Sequence, residues 1–272
     1  MSFASIETSE YSAQKIKLFD ISFGTHHWYY TDHTDTVNFN ATLWAAQAGI
    51  AHDDMPDALD LDNSKLAVTL PYDHDIANLL KLGSPGGQLQ LTIWHGHLGG
   101  EFVRKWQGRI IERVTEYPYC KLITESVLSS ARRASAGLVV SVSCPHDLYG
   151  ADCRVNKNDF KTTATVTAKA GLKLTAPTLS ALPAGWLIMG FAEWAHPTLA
   201  GITMTASILN HDGADIYLAM PAPTIDVGTV LNLYPNCNKE RDGDCANKFN
   251  NTLNHGGIPV DGRNPFSTFR LY

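Results

Sequence analysis

The sequence predicts a mainly β protein made of two β-rich domains with few short helices, and three features predict it. Apolar residues recur with period two in short segments, most of these segments end in Gly, Pro, Asn or Asp, and four of the five cysteines fall after residue 140. The 272 residues, 44% hydrophobic and 18% charged, supply enough apolar material for one large core or two smaller ones.

The elements follow in chain order. Lys15 to Ile21, Gln88 to Ile93 and Thr163 to Ala168 alternate cleanly and are expected as strands. Further strands are expected at Ala67 to Leu70, Gly108 to Val114, Lys121 to Ser126, Leu138 to Val142, Trp186 to Phe191, Ile202 to Ala206 and Ile216 to Met220. Asp73 to Leu80 carries a candidate Asp N-cap and an i, i+3, i+4 apolar stripe before Gly83, which predicts one short packing helix. His211 to Asp215 contains Asp-Gly between two strand patterns and predicts a hairpin. The small, polar stretch Ser129 to Gly137 reads as a linker, with the boundary at about residues 130–143, giving domains 1–140 and 141–272.

A formal net charge of -6 argues against a phosphate-neutralising face, so no nucleic acid is expected as a partner. The longest apolar stretch, Ala184 to Ala192, closes at Glu193, well short of the roughly 20 residues a membrane-spanning helix needs. The first ten residues lack the basic start and apolar run of a secretion signal, and synthesis and folding in the cytoplasm are expected.

Catalytic patterns are weak. No Gly-x-Ser-x-Gly elbow occurs, and the glycine-rich segments Gly83 to Gly87 and Gly96 to Gly100 lack the lysine of a phosphate loop. His52-Asp53-Asp54 could pair carboxylates for acid–base work but reads better as a solvated loop, and His95-Gly96-His97 offers two imidazoles without a third ligand. Trp28-Tyr29-Tyr30 and Trp94 could form a sugar platform, although aromatics in short-stranded domains usually fill cores or subunit contacts. The expectation is a protein that is not an enzyme.

The cysteines are more informative. Cys144 and Cys153 are separated by eight residues and Cys237 and Cys245 by seven, each pair lying in turn-rich sequence. Four soft thiolates delivered from two distant loops can hold an iron–sulfur cluster, with ligation adding folding energy. Zinc remains open, although structural zinc sites usually draw on tighter Cys-x-x-Cys turns. Plain burial, or disulfides pairing Cys144 with Cys153 and Cys237 with Cys245, remain open as well. Cys120 reads as core, and His146 as a surface residue of a tight turn beginning at Pro145, although it could serve as a spare ligand.

From Cys237 onward the sequence resembles phage tail-tip and baseplate hub proteins, the family that includes relatives of minor tail protein L of phage lambda and the hub protein of gene transfer agents. A cysteine pair, Cys237 and Cys245, precedes an aromatic-Asn step, Phe249-Asn250, and then the turn Asn254-His255-Gly256-Gly257-Ile258-Pro259 with Gly262. Cys144-Pro145-His146-Asp147-Leu148-Tyr149 through Cys153 is similar to the first half of the same signature. His255 and Gly256 replace the usual Phe-Arg, and Asp261 stands where proline is common.

The resemblance implies a structural minor tail protein of a bacteriophage virion, made in the host cytoplasm and placed at the tail tip. It implies a homotrimeric ring between the distal tail protein and a central hub or fibre protein. It further implies a 4Fe-4S cluster closing the C-terminal domain, held by Cys144, Cys153, Cys237 and Cys245. A glycan-binding or hydrolytic tail component acting on the host envelope and a zinc-stabilised structural domain are the alternatives.

Overall fold

The computed structural model describes residues 15–55, 65–81, 84–127, 129 and 141–257. The chain divides into two compact units, residues 1–134 and 135–272.

In the first unit the strands are β1 (Lys15–Phe23), β2 (His26–Thr31), β3 (Val37–Phe39), β4 (Thr42–Ala46), β5 (Ala51–His52), β6 (Lys65–Pro71), the two-residue β7 (Ser84–Pro85), β8 (Gln90–His97), β9 (Val103–Glu116) and β10 (Tyr119–Ser126). Nine of them form one sheet in the order β3-β4-β2-β1-β8-β9-β10-β6-β5, antiparallel except where β2 meets β4. The central strand β1 is buried on both faces. Phe19 and Ile21 join a core cluster with Leu66, Val68, Leu91, Ile93, Cys120 and Leu122, while Ile16 and Leu18 join a second with Val37 and Trp44. Helix α1 (Asp75–Lys81) seals the first cluster with Ile76 and Ala77, as its apolar stripe predicts.

The second unit carries β11 (Thr162–Thr165), β12 (Ala168–Ala170), β13 (Lys173–Thr175), β14 (Phe191–Ala195), β15 (Thr203–Asp212), β16 (Asp215–Leu218) and β17 (Val230–Tyr234), running in the order β11-β17-β14-β15-β16-β13-β12. One face of these strands is buried through Ala164, Leu174, Ala192, Trp194, Met204, Ile208, Ile216, Leu218, Leu231 and Leu233. The β15–β16 hairpin turns through Gly213 and Ala214, with φ +56 at Gly213. A positive φ at the first central residue only is the type II′ pattern, and glycine meets it without strain. A bulge between Ile208 and Asn210 leaves Leu209 without a cross-strand partner, and Leu209 is exposed.

Mainly β architecture with few short helices is what the structure has. Two expected strands differ. Trp186 to Gly190 is a chain of turns, with Trp186, Ile188 and Gly190 each donating its N–H to the carbonyl three residues back. Gly185 and Met189 take positive φ, and a Cβ at Gly190 would lie 2.1 Å from the carbonyl oxygen of Tyr234, so the backbone packs too closely there for an extended run. Thr163 to Ala168 is divided between β11 and β12, because Val166 bonds to Thr229 while Thr167 bonds to Thr175. Ser141 and Val142 are irregular, and residues 138–140, most of the Ser129 to Gly137 stretch, Gly83, Ile258, Pro259, Asp261 and Gly262 lie outside the described residues.

A candidate four-cysteine metal centre

All four late cysteines come from loops that the second unit's sheet presents. Cys144 and Cys153 precede β11, and Cys237 follows β17 by three residues. Cys245 ends a distorted helical turn, Arg241–Cys245, kinked at Gly243. All five cysteines of the chain are free thiols, so neither of the disulfides considered from sequence is formed. Cys120 is fully buried in the first unit's core.

The thiols influence one another in part: charge on Cys237, Cys144 and Cys153 reaches Cys245, and charge on Cys153 reaches Cys237. Burial pushes the Cys245 thiol up first, and charge on Cys237, Cys144 and Cys153 pushes it further. Burial also pushes the Cys237 thiol up, opposed by the Lys239 N–H and the Lys239 charge. Cys153, Val155 and Phe249 form a small core, with Leu148, Tyr149, Phe160 and Cys237 packed against it. Among the described residues no three His, Cys, Asp or Glu side chains form a group able to hold a metal ion.

Three of the four sulfurs face an N–H donor. Lys239 N–H points at Cys237 Sγ (3.3 Å), Gly256 N–H at Cys144 Sγ (3.4 Å) and Asn251 Nδ2 at Cys153 Sγ (3.5 Å). Cys245 Sγ instead donates to the Asn251 carbonyl at 3.3 Å. Such donors favour thiolate over thiol and so favour ligation.

Two residues brace the loops in pairs. Lys239 accepts the Cys144 N–H at 2.9 Å and its own N–H faces Cys237. Asn251 gives its side-chain amide to the Cys153 carbonyl at 2.6 Å and its N–H to the Cys245 carbonyl at 2.8 Å. Tyr149 ties its hydroxyl to the Pro235 carbonyl at 2.8 Å, and burial pushes its phenol up. Four of the seven non-glycine residues with positive φ among the described residues, Tyr149, Arg154, Lys239 and Asn250, sit in these loops. Strain of this kind persists where the surroundings over-determine the backbone, and it gathers at functional sites.

His146 is not a simple surface residue. It is half-buried, its Nδ1 lies 3.1 Å from the Asn254 carbonyl, and its ring fills the space beside Gly256. A Cβ on Gly256 would come within 2.4 Å of that ring. The small residue at position 256 is therefore matched to His146.

A cavity of about 390 Å³ opens beside the site, lined by Ile188, Met189, Asn236, Cys237, Asp244 and Lys248 among others. Lys248 is nearly buried there, bonding the Trp186 and Asn236 carbonyls at 3.2 and 3.1 Å.

The other sequence candidates are placed in the first unit. Asp53 and Asp54 are exposed. His95 meets His52 rather than a metal: their Nε2 atoms are 2.9 Å apart, with ring planes 14° apart and centroids 5.1 Å apart, so the imidazoles meet end to end. Trp28 and Tyr30 pack against the larger core cluster and Tyr29 and Trp94 against the smaller one, so these four half-buried rings take part in core packing.

Comparison with known proteins finds a family model that matches part of the chain and a solved structure that shares its fold. The family described as phage conserved hypothetical protein BR0599 matches residues 185–262, which include Cys237 and Cys245. No curated protein matches the chain. A chain of the virion of a native gene transfer agent particle has the same fold, with a TM-score of 0.76 at 15% identity over 99% of this chain and 95% of that one. No helix among the described residues is long and apolar enough to cross a membrane.

Proposed function

We propose that the protein is a structural component of a phage-type virion, a subunit of the tail-tip hub ring between the distal tail protein and a central hub or fibre protein. Its C-terminal unit is closed by a 4Fe-4S cluster on Cys144, Cys153, Cys237 and Cys245. The family match and the shared fold with a gene transfer agent virion chain support the virion role. The observation that carries the cluster reading is that Lys239 ties the Cys144 and Cys237 segments and Asn251 ties the Cys153 and Cys245 segments, with three of the four sulfurs facing N–H donors.

The residues present fit such a group. All four ligands are soft sulfurs, and the loops are tied to one another by backbone and amide contacts. A four-iron core contains its own bridging sulfides and takes thiolates further apart than a single ion does. The absence of any three-ligand group for one ion among the described residues therefore weighs against zinc more than against the cluster. When bound, the cluster would supply a covalent tie between loops otherwise held by a small apolar core and a few hydrogen bonds. The chain's own residues do the rest: Lys239 and Asn251 set the loops, and Tyr149 anchors the Cys144 loop to the end of β17.

Anaerobic purification with iron, sulfide and zinc quantification tests the cluster. Equal iron and sulfide with broad visible absorbance is the expected result, and stoichiometric zinc without sulfide would overturn it. Light scattering of the purified chain, alone and with a distal tail protein, tests the trimeric ring.

A further inference from the structure

Lys239 touches more of the ligand-bearing segments than any cysteine motif would suggest. Its N–H faces Cys237 Sγ at 3.3 Å, its carbonyl accepts the Cys144 N–H at 2.9 Å, and the same carbonyl lies 3.3 Å from His255 Nε2. Its ammonium donates to the carbonyl of His146, two residues beyond Cys144. It does all this at φ +68, a conformation disfavoured for a side chain with a Cβ and easy for glycine. At this glycine-type position the ammonium held by His146 is what a glycine would lack.

From this geometry we infer that Lys239 positions the Cys144 and Cys237 loops and supplies the fixed positive charge that offsets the thiolates gathered at the site; the inference rests on the cluster reading above. Four thiolates drawn into a half-buried site repel one another, and burial adds to the cost. A cation whose ammonium is held by one ligand loop while its backbone is held by the other lowers that cost without becoming a ligand. The neighbouring cations are less suited. The Lys248 ammonium is committed to the Trp186 and Asn236 carbonyls and lies 3.7 Å from Asp244, and Arg241, whose charge reaches Cys245, is exposed and so screened by water.

The backbone and charge roles can be separated. Lys239→Gly keeps the N–H and carbonyl and suits the positive φ, but lacks the ammonium; Lys239→Met removes the charge with little loss of bulk; Lys239→Arg keeps the charge. Each full-length chain is reconstituted anaerobically with iron and sulfide, then assayed for iron and sulfide content, midpoint potential and iron release to a chelator.

The expected result is full iron content in all three. In Lys239→Gly and Lys239→Met the midpoint moves to more negative values, because a nearby cation favours the added electron, and iron is lost several-fold faster. Lys239→Arg should match the wild type. Loaded Lys239→Gly and Lys239→Met chains with wild-type potential and release rate would overturn the role of Lys239 while leaving the cluster intact. A wild-type chain that takes up no iron and sulfide would instead overturn the cluster reading, and this inference with it.

Discussion

Asn251 shows how one side chain can carry a loop. Its amide bonds the Cys153 carbonyl at 2.6 Å and faces that residue's sulfur, and its Oδ1 accepts from the Asn254 amide at 2.6 Å. Its backbone meanwhile closes onto Cys245. Replacing it with alanine keeps the backbone bonds and strips the Cys153 carbonyl of its donor, a loss of about 1–3 kcal/mol for a partly buried polar group. Asn251→Ala should therefore unfold at lower denaturant and release metal faster, as read by urea titration and a chelator assay; wild-type values in both would show that the amide contributes nothing. The cysteines themselves were legible in the sequence, because thiols in turn-rich segments stand out by residue type and spacing. Lys239 and Asn251 were not, since their part depends on backbone atoms and on a positive φ that residue identity does not announce. His146 was misjudged for the same kind of reason: its turn reads as exposed, and only the fold brings Asn254 and Gly256 against it.

At the scale of elements, strands were legible where one face is buried and the other wet. β10 is the plain case, with Cys120, Leu122 and Thr124 buried and the residues between them partly exposed. β1 is legible from the same alternation, although both of its faces are covered. The apolar run after Pro183 misled because an unbroken run fixes no period, and glycine with close backbone packing decides the local path. Contacts between strands remote in sequence are invisible in such patterns, and the His52–His95 pair is one of them. His52 Nδ1 donates to the Asp53 carbonyl at 2.6 Å, which leaves its Nε2 as an acceptor and makes His95 Nε2–H the donor between β5 and β8.

That pair sets a pH dependence. Burial, then the positive charges of His52, Lys17, Lys105 and Lys15, push the His95 imidazole down from 6.5 to about 4. Burial also pushes His52 down, with Lys17 adding to the effect and the Asp53 carbonyl bond and the charges of Asp32 and Asp53 opposing it. A base depressed in the folded state binds its proton more readily when unfolded. Its contribution is therefore fully present above about pH 6.5 and is lost as pH falls towards about 4. Because both rings are partly solvated, the effect is about 1 kcal/mol and not the full value of the shift. Urea unfolding at about pH 7.5 and about pH 4.5 should show a smaller acid loss in His95→Gln than in the wild type. Equal losses in the two would remove the pair as a source of acid sensitivity.

At the scale of the whole molecule, the two units differ in what holds them. The first has a nine-stranded sheet with large clusters of fully buried side chains, Phe19, Leu66, Leu70, Ile93 and Leu122 among them. Around the late cysteines the chain is mostly turns, and the buried hydrophobic residues there come down to Cys153, Val155, Cys245 and Phe249 with a few half-buried partners. Such loops bury too little apolar surface to offset the entropy of ordering them, so a bound metal group would contribute folding energy there and nowhere else. Removing the metal, or replacing Cys144, Cys153, Cys237 and Cys245 together with serine, should lower the thermal transition of the second unit and leave that of the first unchanged. Calorimetry combined with limited proteolysis would resolve this, with cleavage of the metal-free chain expected first between residues 141 and 161 or 235 and 257. The converse substitution, Leu122→Ala, opens a cavity in the first unit's core and should cost that unit about 2–5 kcal/mol while iron and sulfide content stay at wild-type values. If metal removal instead left both transitions in place, the four cysteines would be packing residues, and the loops around them would owe their order to Lys239, Asn251 and Tyr149 alone.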